Sequence, residues 1–260
     1  RIVEGYEFGT NPCSEILLRD REFCNLSEVV VRVNDTEESL LEKVRLATIL
    51  GTFQSTLTNF KYVSSMWRKN CEEERLLGVS LTGIMDSRIT NGKSNKDLVK
   101  LLEGLKNKSI EVNKEFAKEL GINQSTSVTC IKPSGTVSQL VDAASGIHAR
   151  HNPYYIRTVR GDKKDPLTKL MTEVGFPVED DEMNPSHTVV FSFPMKSPKN
   201  AICRTDINAI EQLNLWSKYQ KHWCEHKPSV TISVKEDEWM GMGNWVWNNF
   251  DDISGISFLP

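Results

Sequence analysis

The residues able to do chemistry fall in three short clusters. The first is Asn11-Pro12-Cys13-Ser14-Glu15. Gly9, Thr10, Asn11 and Pro12 all disfavour regular structure, so the cluster reads as a loop. A loop can turn the Cys13 thiol and the Glu15 carboxylate toward one space, with the Asn11 amide behind them. A thiol, a carboxylate and an amide together suit radical or acid–base work on a sugar. The same five residues also fit a plain turn with a buried Cys13 and a solvated Glu15.

The second cluster is Cys24 in Phe23-Cys24-Asn25-Leu26-Ser27. It precedes a strand-like run, which can set it at a strand mouth near the Cys13 loop. There a second thiol can act as a reductant; the other reading is a small hydrophobe in the core. The third is Lys132-Pro133-Ser134-Gly135-Thr136-Val137-Ser138, between a strand and a helix. Such a turn exposes backbone N–H groups that suit phosphate. Ser134, Thr136 and Ser138 add hydroxyls, and Gly135 lets an anion approach the backbone. The pattern is not a Walker A loop, and plain N-capping is the alternative. Cys71, Cys130, Cys203 and Cys224 form no Cys-x-x-Cys pair and read as buried, reduced thiols. No metal site is expected.

Elements must position these clusters. Glu28 to Val33 reads as a strand. Asn34-Asp35-Thr36 then caps a helix with Leu40, Val44, Ala47 and Leu50 on one face. Leu76 to Thr82 is strand-like. A long helix from about Asn95 carries Leu98, Leu101, Leu102, Leu105, Val112 and Phe116, with Gly121 at its C-terminal cap. Ser127 to Ile131 predicts a strand, followed by the turn and a short helix. Tyr154 to Val159 is strand-like, and Asp165-Pro166 opens a helix that Gly175 ends. Thr188 to Phe193 is a strand. Asp206 caps a helix bearing Ile210, Leu213, Trp216, Tyr219 and Trp223. Ser229 to Val234 is a strand, and Glu238 to Phe250 is helical. This alternation predicts an α/β fold with mostly parallel strands and its chemistry on loops at their carboxyl ends.

Bulk properties narrow the classes. A formal charge of -3, from 32 basic and 35 acidic residues among 260, argues against a general nucleic-acid surface. A phosphorylated small molecule stays compatible with it. No apolar run approaches the roughly 20 residues that span a bilayer, so no membrane partner is expected. Six cysteines in so long a chain argue against a secreted disulfide scaffold and for a cytoplasmic protein. The start, Arg1 to Tyr6, and the apolar end, Ile256 to Pro260, read as cuts through a longer polypeptide.

Taken together, the clusters resemble the ribonucleotide reductase catalytic subunit. Asn11-Pro12-Cys13-Ser14-Glu15 resembles that family's finger-loop motif, Asn-x-Cys-x-Glu, and Pro133-Ser134-Gly135-Thr136 its substrate-phosphate loop. Glu74 to Gly83 (ERLLGVSLTG), Gly146-Ile147-His148-Ala149-Arg150, Tyr155-Ile156-Arg157 and Ser257-Phe258-Leu259-Pro260 are also similar to family segments. The resemblance spans nearly the whole chain in the family's order. Pro12, the Pro-Ser-Gly-Thr turn and the 11-position step from Cys13 to Cys24 resemble the adenosylcobalamin-dependent class II. Within it they resemble the monomeric, triphosphate-reducing branch.

The resemblance implies a portion of a ten-stranded α/β barrel with a cysteine-bearing finger loop at its centre, residues 1–260 forming one catalytic segment truncated at both ends. It implies adenosylcobalamin as the radical source, a thiyl radical on Cys13, Glu15 as general base on the ribose 3′ hydroxyl and Asn11 holding the sugar. Cys24 would reduce the substrate together with a cysteine upstream of Arg1. Pro133, Ser134, Gly135, Thr136 and Ser138 would hold the substrate phosphate. Partners would be a ribonucleotide and a thioredoxin-type reductant acting through a C-terminal region absent here, and this segment by itself would be inactive. His148 and His151 either line the substrate or cobalamin face or are structural. The nearest alternative is a class I diphosphate reductase large subunit, against which Pro12, Gly135 and the cysteine spacing weigh. The other is a non-catalytic fragment, against which the intact Asn11, Cys13 and Glu15 weigh.

Overall fold

Residues 5–93 and 96–260 are described by a computed structural model. In chain order the first elements are β1 (Phe8–Thr10), β2 (Leu17–Arg19), β3 (Asn25–Val30), α1 (Glu37–Gln54), α2 (Ser65–Glu74), β4 (Leu77–Thr82), α3 (Leu98–Leu120), β5 (Thr129–Cys130) and α4 (Gly135–Leu140). Then come β6 (Tyr154–Asp162), α5 (Pro166–Glu173), β7 (Val178–Asp180), β8 (Thr188–Lys196), α6 (Ala209–His222), β9 (Val230–Ser233), α7 (Trp239–Asn248) and β10 (Ile256–Leu259). The expected helix start near Asn95 lies outside the described residues. The chain divides into two units, one built from the residues up to Arg150 and from Asn200 onward, the other from His151–Lys199.

The first unit is organised on a parallel sheet of order β3-β4-β5. All six residues of β4 are buried, as a central strand covered on both faces requires. Helix α1 starts at a capping box in which Thr36 Oγ1 accepts from Ser39 N and Ser39 Oγ accepts from Thr36 N. Its buried face is Leu40, Val44, Thr48, Gly51 and Thr52. Leu50, expected on that face, is 63% exposed. The small residues win because the helix lies close on the sheet: a Cβ on Gly51 would sit 3.4 Å from the Leu77 side chain. Helix α3 buries Leu98, Leu101, Leu102, Leu105 and Val112 and ends at Gly121 in the left-handed conformation, as its spacing predicts. Helix α6 supplies Leu213, Trp216 and Tyr219 to the same core, with Trp223 at its C-cap.

Three expectations need correction. The N-cap of α6 is Asn208, which exchanges bonds with Glu211; the Asp206 carboxylate accepts instead from Cys203 N at 2.9 Å. The strand expected over 28–33 runs over Asn25–Val30, and that over 127–131 shrinks to two residues. The strands are also less uniformly parallel than the alternation suggests. In the second unit β6 pairs antiparallel with β8 along all nine residues, and β7 pairs antiparallel with β8. There α5 joins β6 to the short β7, which runs parallel to it on the far side of β8, and the chain then turns back as the β7–β8 hairpin, so that β8 inserts antiparallel between the two. Strands β1 and β2 form an antiparallel hairpin, and β9 pairs parallel with β10. Helix α2 has too narrow an apolar face to stand out from sequence: its ten residues bury only Cys71 and Glu74. The described strands make two two-stranded and two three-stranded sheets, and none of these closes into a barrel. No helix among the described residues is long and apolar enough to cross a membrane.

Candidate active site

The Cys13 cluster is the loop of the β1–β2 hairpin, whose last paired residues are Thr10 and Leu17. Asn11 closes it from both sides. Its backbone N donates to Ile16 O at 3.2 Å, and its Oδ1 accepts from Ile16 N at 3.0 Å. Asn11 O also accepts from Ser14 N at 2.9 Å, which makes residues 11–14 a tight turn with Cys13 at its third position. Ser14 then takes a φ of 62°, which redirects the chain. The result inverts the plain-turn alternative: Cys13 is exposed, and Glu15, 1% exposed, is the buried residue. Glu15 Oε2 has no hydrogen-bond partner.

Two distant segments hold this loop. Glu15 O accepts from Lys227 N at 2.9 Å. Gly255 lies so close that a Cβ on it would fall 2.6 Å from Ser14 Cβ. Lys227 O in turn accepts from Ile131 N, the residue after β5. The loop therefore borders the end of β5, two residues ahead of the Pro133 turn. Burial pushes the Cys130 thiol well above its ordinary pKa, helped by the nearby charges of Cys24, Cys224 and Glu15. Cys24, half-buried, leads into β3. Cys130 is the buried core thiol that the sequence predicts, and it stands beside Cys24.

The turn after β5 has a strained start and an open side. Ser134, 3% exposed, sits in the left-handed conformation with φ 54°, and its Oγ has no partner. Gly135 and Thr136 are exposed, and a Cβ on Gly135 would meet nothing within 4 Å. Ser138 is engaged inside the turn: its hydroxyl donates to Gly135 O at 3.0 Å and lies 2.7 Å from Ser145 Oγ. Pro133, half-buried, joins the turn to the strand end, where Lys132 N donates to Ser80 Oγ.

Residues 142–150 brace the turn from behind. Arg150 clamps the buried Asp86 carboxylate with two bonds of 2.8 Å and also reaches Asp142. Thr82 Oγ1 donates to Ala144 O and accepts from Gly146 N. Gly146 has φ 54°, and a side chain there would collide with Lys132 O, so this position needs glycine twice over. His148 belongs to this brace. Its Nε2 accepts from Thr231 N at 3.0 Å, so Nδ1 carries the proton and donates to Ser145 O at 2.8 Å. Burial lowers its pKa, in keeping with a neutral, structural ring. His151 lies in the second unit, where its Nδ1 is 3.0 Å from Asn152 Nδ2.

No family model matches the chain. Curated relatives do. The adenosylcobalamin-dependent ribonucleoside-triphosphate reductase of Lactobacillus gasseri is 29% identical over 92% of this chain, and that of Euglena gracilis is 30% identical over 97%. The chain spans 36% and 34% of those relatives' lengths, little more than a third. Among solved structures, a crystal structure of a B12-dependent (class II) ribonucleotide reductase superposes with a TM-score of 0.82 at 27% identity, over 98% of this chain and 39% of that one. Sequence and fold together relate this chain, over nearly all of its length, to the class II ribonucleotide reductases.

Proposed function

We propose that the chain carries the radical and phosphate-binding centre of an enzyme that reduces ribonucleoside triphosphates to deoxyribonucleotides. The observation that carries the reading is the hairpin loop itself, with an exposed thiol at its tip and, two residues on, a buried carboxylate with an unpartnered oxygen. Buried polar atoms are costly to leave unpaired, so Glu15 Oε2 and Ser134 Oγ fit a ligand that brings the missing partners. A nucleotide would bring a sugar hydroxyl to the first and a phosphate to the second. The exposed Cys13 thiol also fits adenosylcobalamin, which when bound supplies the radical chemistry that removes the thiol hydrogen.

The remaining steps belong to this chain's residues. The phosphate lies on the Pro133-Ser134-Gly135-Thr136 turn, with Ser138 bracing it from inside. Asn11 holds the loop in its tight form and so orients both Cys13 and Glu15 toward the sugar. Cys13, as a thiyl radical, takes the 3′ hydrogen, and Glu15 accepts the 3′ hydroxyl proton. The 2′ oxygen leaves as water. Cys24 and a second thiol supply two electrons and two hydrogens. Over the cycle, ribonucleotide and two thiols give deoxyribonucleotide, a disulfide and water, and Cys13 recovers its hydrogen. A thioredoxin-type dithiol then restores the pair. In this reading the parallel sheet is part of a ten-stranded barrel and the β1–β2 loop is its central finger.

Substrate labelled at the 3′ position, given to the native-length protein with adenosylcobalamin, tests the assignment. Cys13→Ser is expected to abolish both turnover and 3′ carbon–hydrogen cleavage, since a serine O–H bond is too strong to replace the thiol. Cys24→Ser is expected to keep 3′ cleavage but release free base and damaged sugar. Normal deoxynucleotide formation by either variant removes its assigned role.

A further inference from the structure

Gly78, the second residue of β4, has no role in the chemistry described so far. The strand register sets it opposite Leu26 of β3. A Cβ built on Gly78 would collide with the end of the Leu26 side chain and would lie 3.1 Å from Cys24 Sγ and 3.3 Å from Cys130 Sγ. Leu26 can swing its terminal methyl aside. The two sulfurs are the tighter constraint, because each belongs to a short side chain fixed close to the backbone. Gly78 therefore leaves a notch in the sheet face, and the thiols of Cys24 and Cys130 occupy its two sides.

Cys130 is not placed to bridge to Cys24. Cys24 leads into β3 and Cys130 ends β5, with β4 between those strands, and two strand spacings of about 4.8 Å exceed the Cα separation of about 7 Å that a disulfide can close. Cys130 is fully buried and held protonated by burial, so it serves as a wall. Its neighbour Cys24 is half-buried and keeps an accessible side.

We propose that Gly78 and Cys130 are positioning residues for Cys24: the absent side chain at 78 and the thiol at 130 shape the seat that fixes where the Cys24 sulfur points. The inference rests on Cys24 being the reductant. It adds that the reductive half of the reaction, and not radical formation at Cys13, is set by a glycine one strand away.

Two measurements test it. The first needs no turnover: alkylation of Cys24 and Cys13 by iodoacetamide, followed by peptide mass spectrometry on the folded chain. Gly78→Ala is expected to change the Cys24 rate by about threefold or more while the Cys13 rate stays within about twofold. Cys130→Ala, which removes the opposite wall and introduces no clash, should also move the Cys24 rate selectively. Gly104→Ala, where a Cβ meets nothing within 4 Å, should move neither. Should Gly78→Ala fail to fold, Cys130→Ala decides alone, and an unchanged Cys24 rate in a folded variant overturns the seat. The second measurement uses the native-length protein and 3′-labelled substrate. Gly78→Ala should retain 3′ cleavage but yield about tenfold less deoxynucleotide per cleavage event, the remainder appearing as free base. An unchanged product ratio, or equal loss of cleavage and product, overturns the positioning role. If the wild-type protein cleaves no 3′ bond, the reductase reading fails, and alkylation still decides the seat.

Discussion

At the scale of single residues, the Cys13 loop sets an exposed thiol two positions ahead of a buried carboxylate. Which of the two is buried depends on contacts from Lys227 and Gly255, more than 200 positions away, and on the positive φ of Ser14. Glu15→Gln keeps the shape and removes the base, so turnover of the native-length protein should fall by about 10²–10⁴-fold while its melting temperature holds. Retained turnover would show that Glu15 only plugs the loop. His148 gives a second test at this scale. Its folded pKa lies below the unfolded value of about 6.5, so the unfolded chain binds the proton first. Its contribution is full above that pH and is lost progressively as pH falls below it. The stability gap between wild type and His148→Gln, from urea melts, should narrow from pH 7.5 to pH 5.5; a constant gap would show that the ring does not titrate there.

At the scale of elements, the local signals that read well were those carried by neighbouring residues. The Thr36 cap, the Asp165-Pro166 start and the Gly121 and Gly175 ends all fall where local chemistry sets them. Pairing direction did not read well, because a strand, a helix and a strand in sequence look alike whether the two strands become neighbours or a later strand, here β8, inserts antiparallel between them. The turn at 133–138 combines both kinds of information. Its Pro-Ser-Gly pattern marks the place, but the brace behind it joins Asp86 to Arg150 across 64 positions. Turn and brace should respond differently to mutation. Gly135→Val adds a side chain into open space, so stability should change by no more than about 0.5 kcal/mol. Nucleotide affinity should fall by about 1–3 kcal/mol as backbone N–H groups are covered. Asp86→Ala leaves the Arg150 charge in a site only 4% exposed and should cost about 3–5 kcal/mol in a denaturant melt. Unchanged affinity in a folded Gly135→Val protein would remove the phosphate assignment, and a mild Asp86→Ala would remove the brace.

At the scale of the whole molecule, the family was legible because several motifs recur in a fixed order, whereas the barrel was not. Barrel closure is a property of many strands together, and the strands described here pair only in twos and threes. That has a physical consequence. Among the described residues, β3 is an edge strand of the sheet of order β3-β4-β5, and an edge strand is a template for association. Large apolar side chains also remain at the surface, among them Tyr62 at 98%, Leu140 at 84% and Trp247 at 83% exposure. Scattered exposed hydrophobes are ordinary, but combined with an open strand edge they favour self-association. This chain on its own is therefore expected to elute as oligomers whose size grows with concentration, and to bind an apolar dye in its native state. Lys or Glu substitutions on outward-facing β3 positions should reduce the oligomers without lowering the melting temperature, because charge blocks edge pairing and leaves the core untouched. A monodisperse monomer with one sharp melt and no dye binding would show that the described sheets satisfy their own edges, and the barrel reading would lose its physical basis.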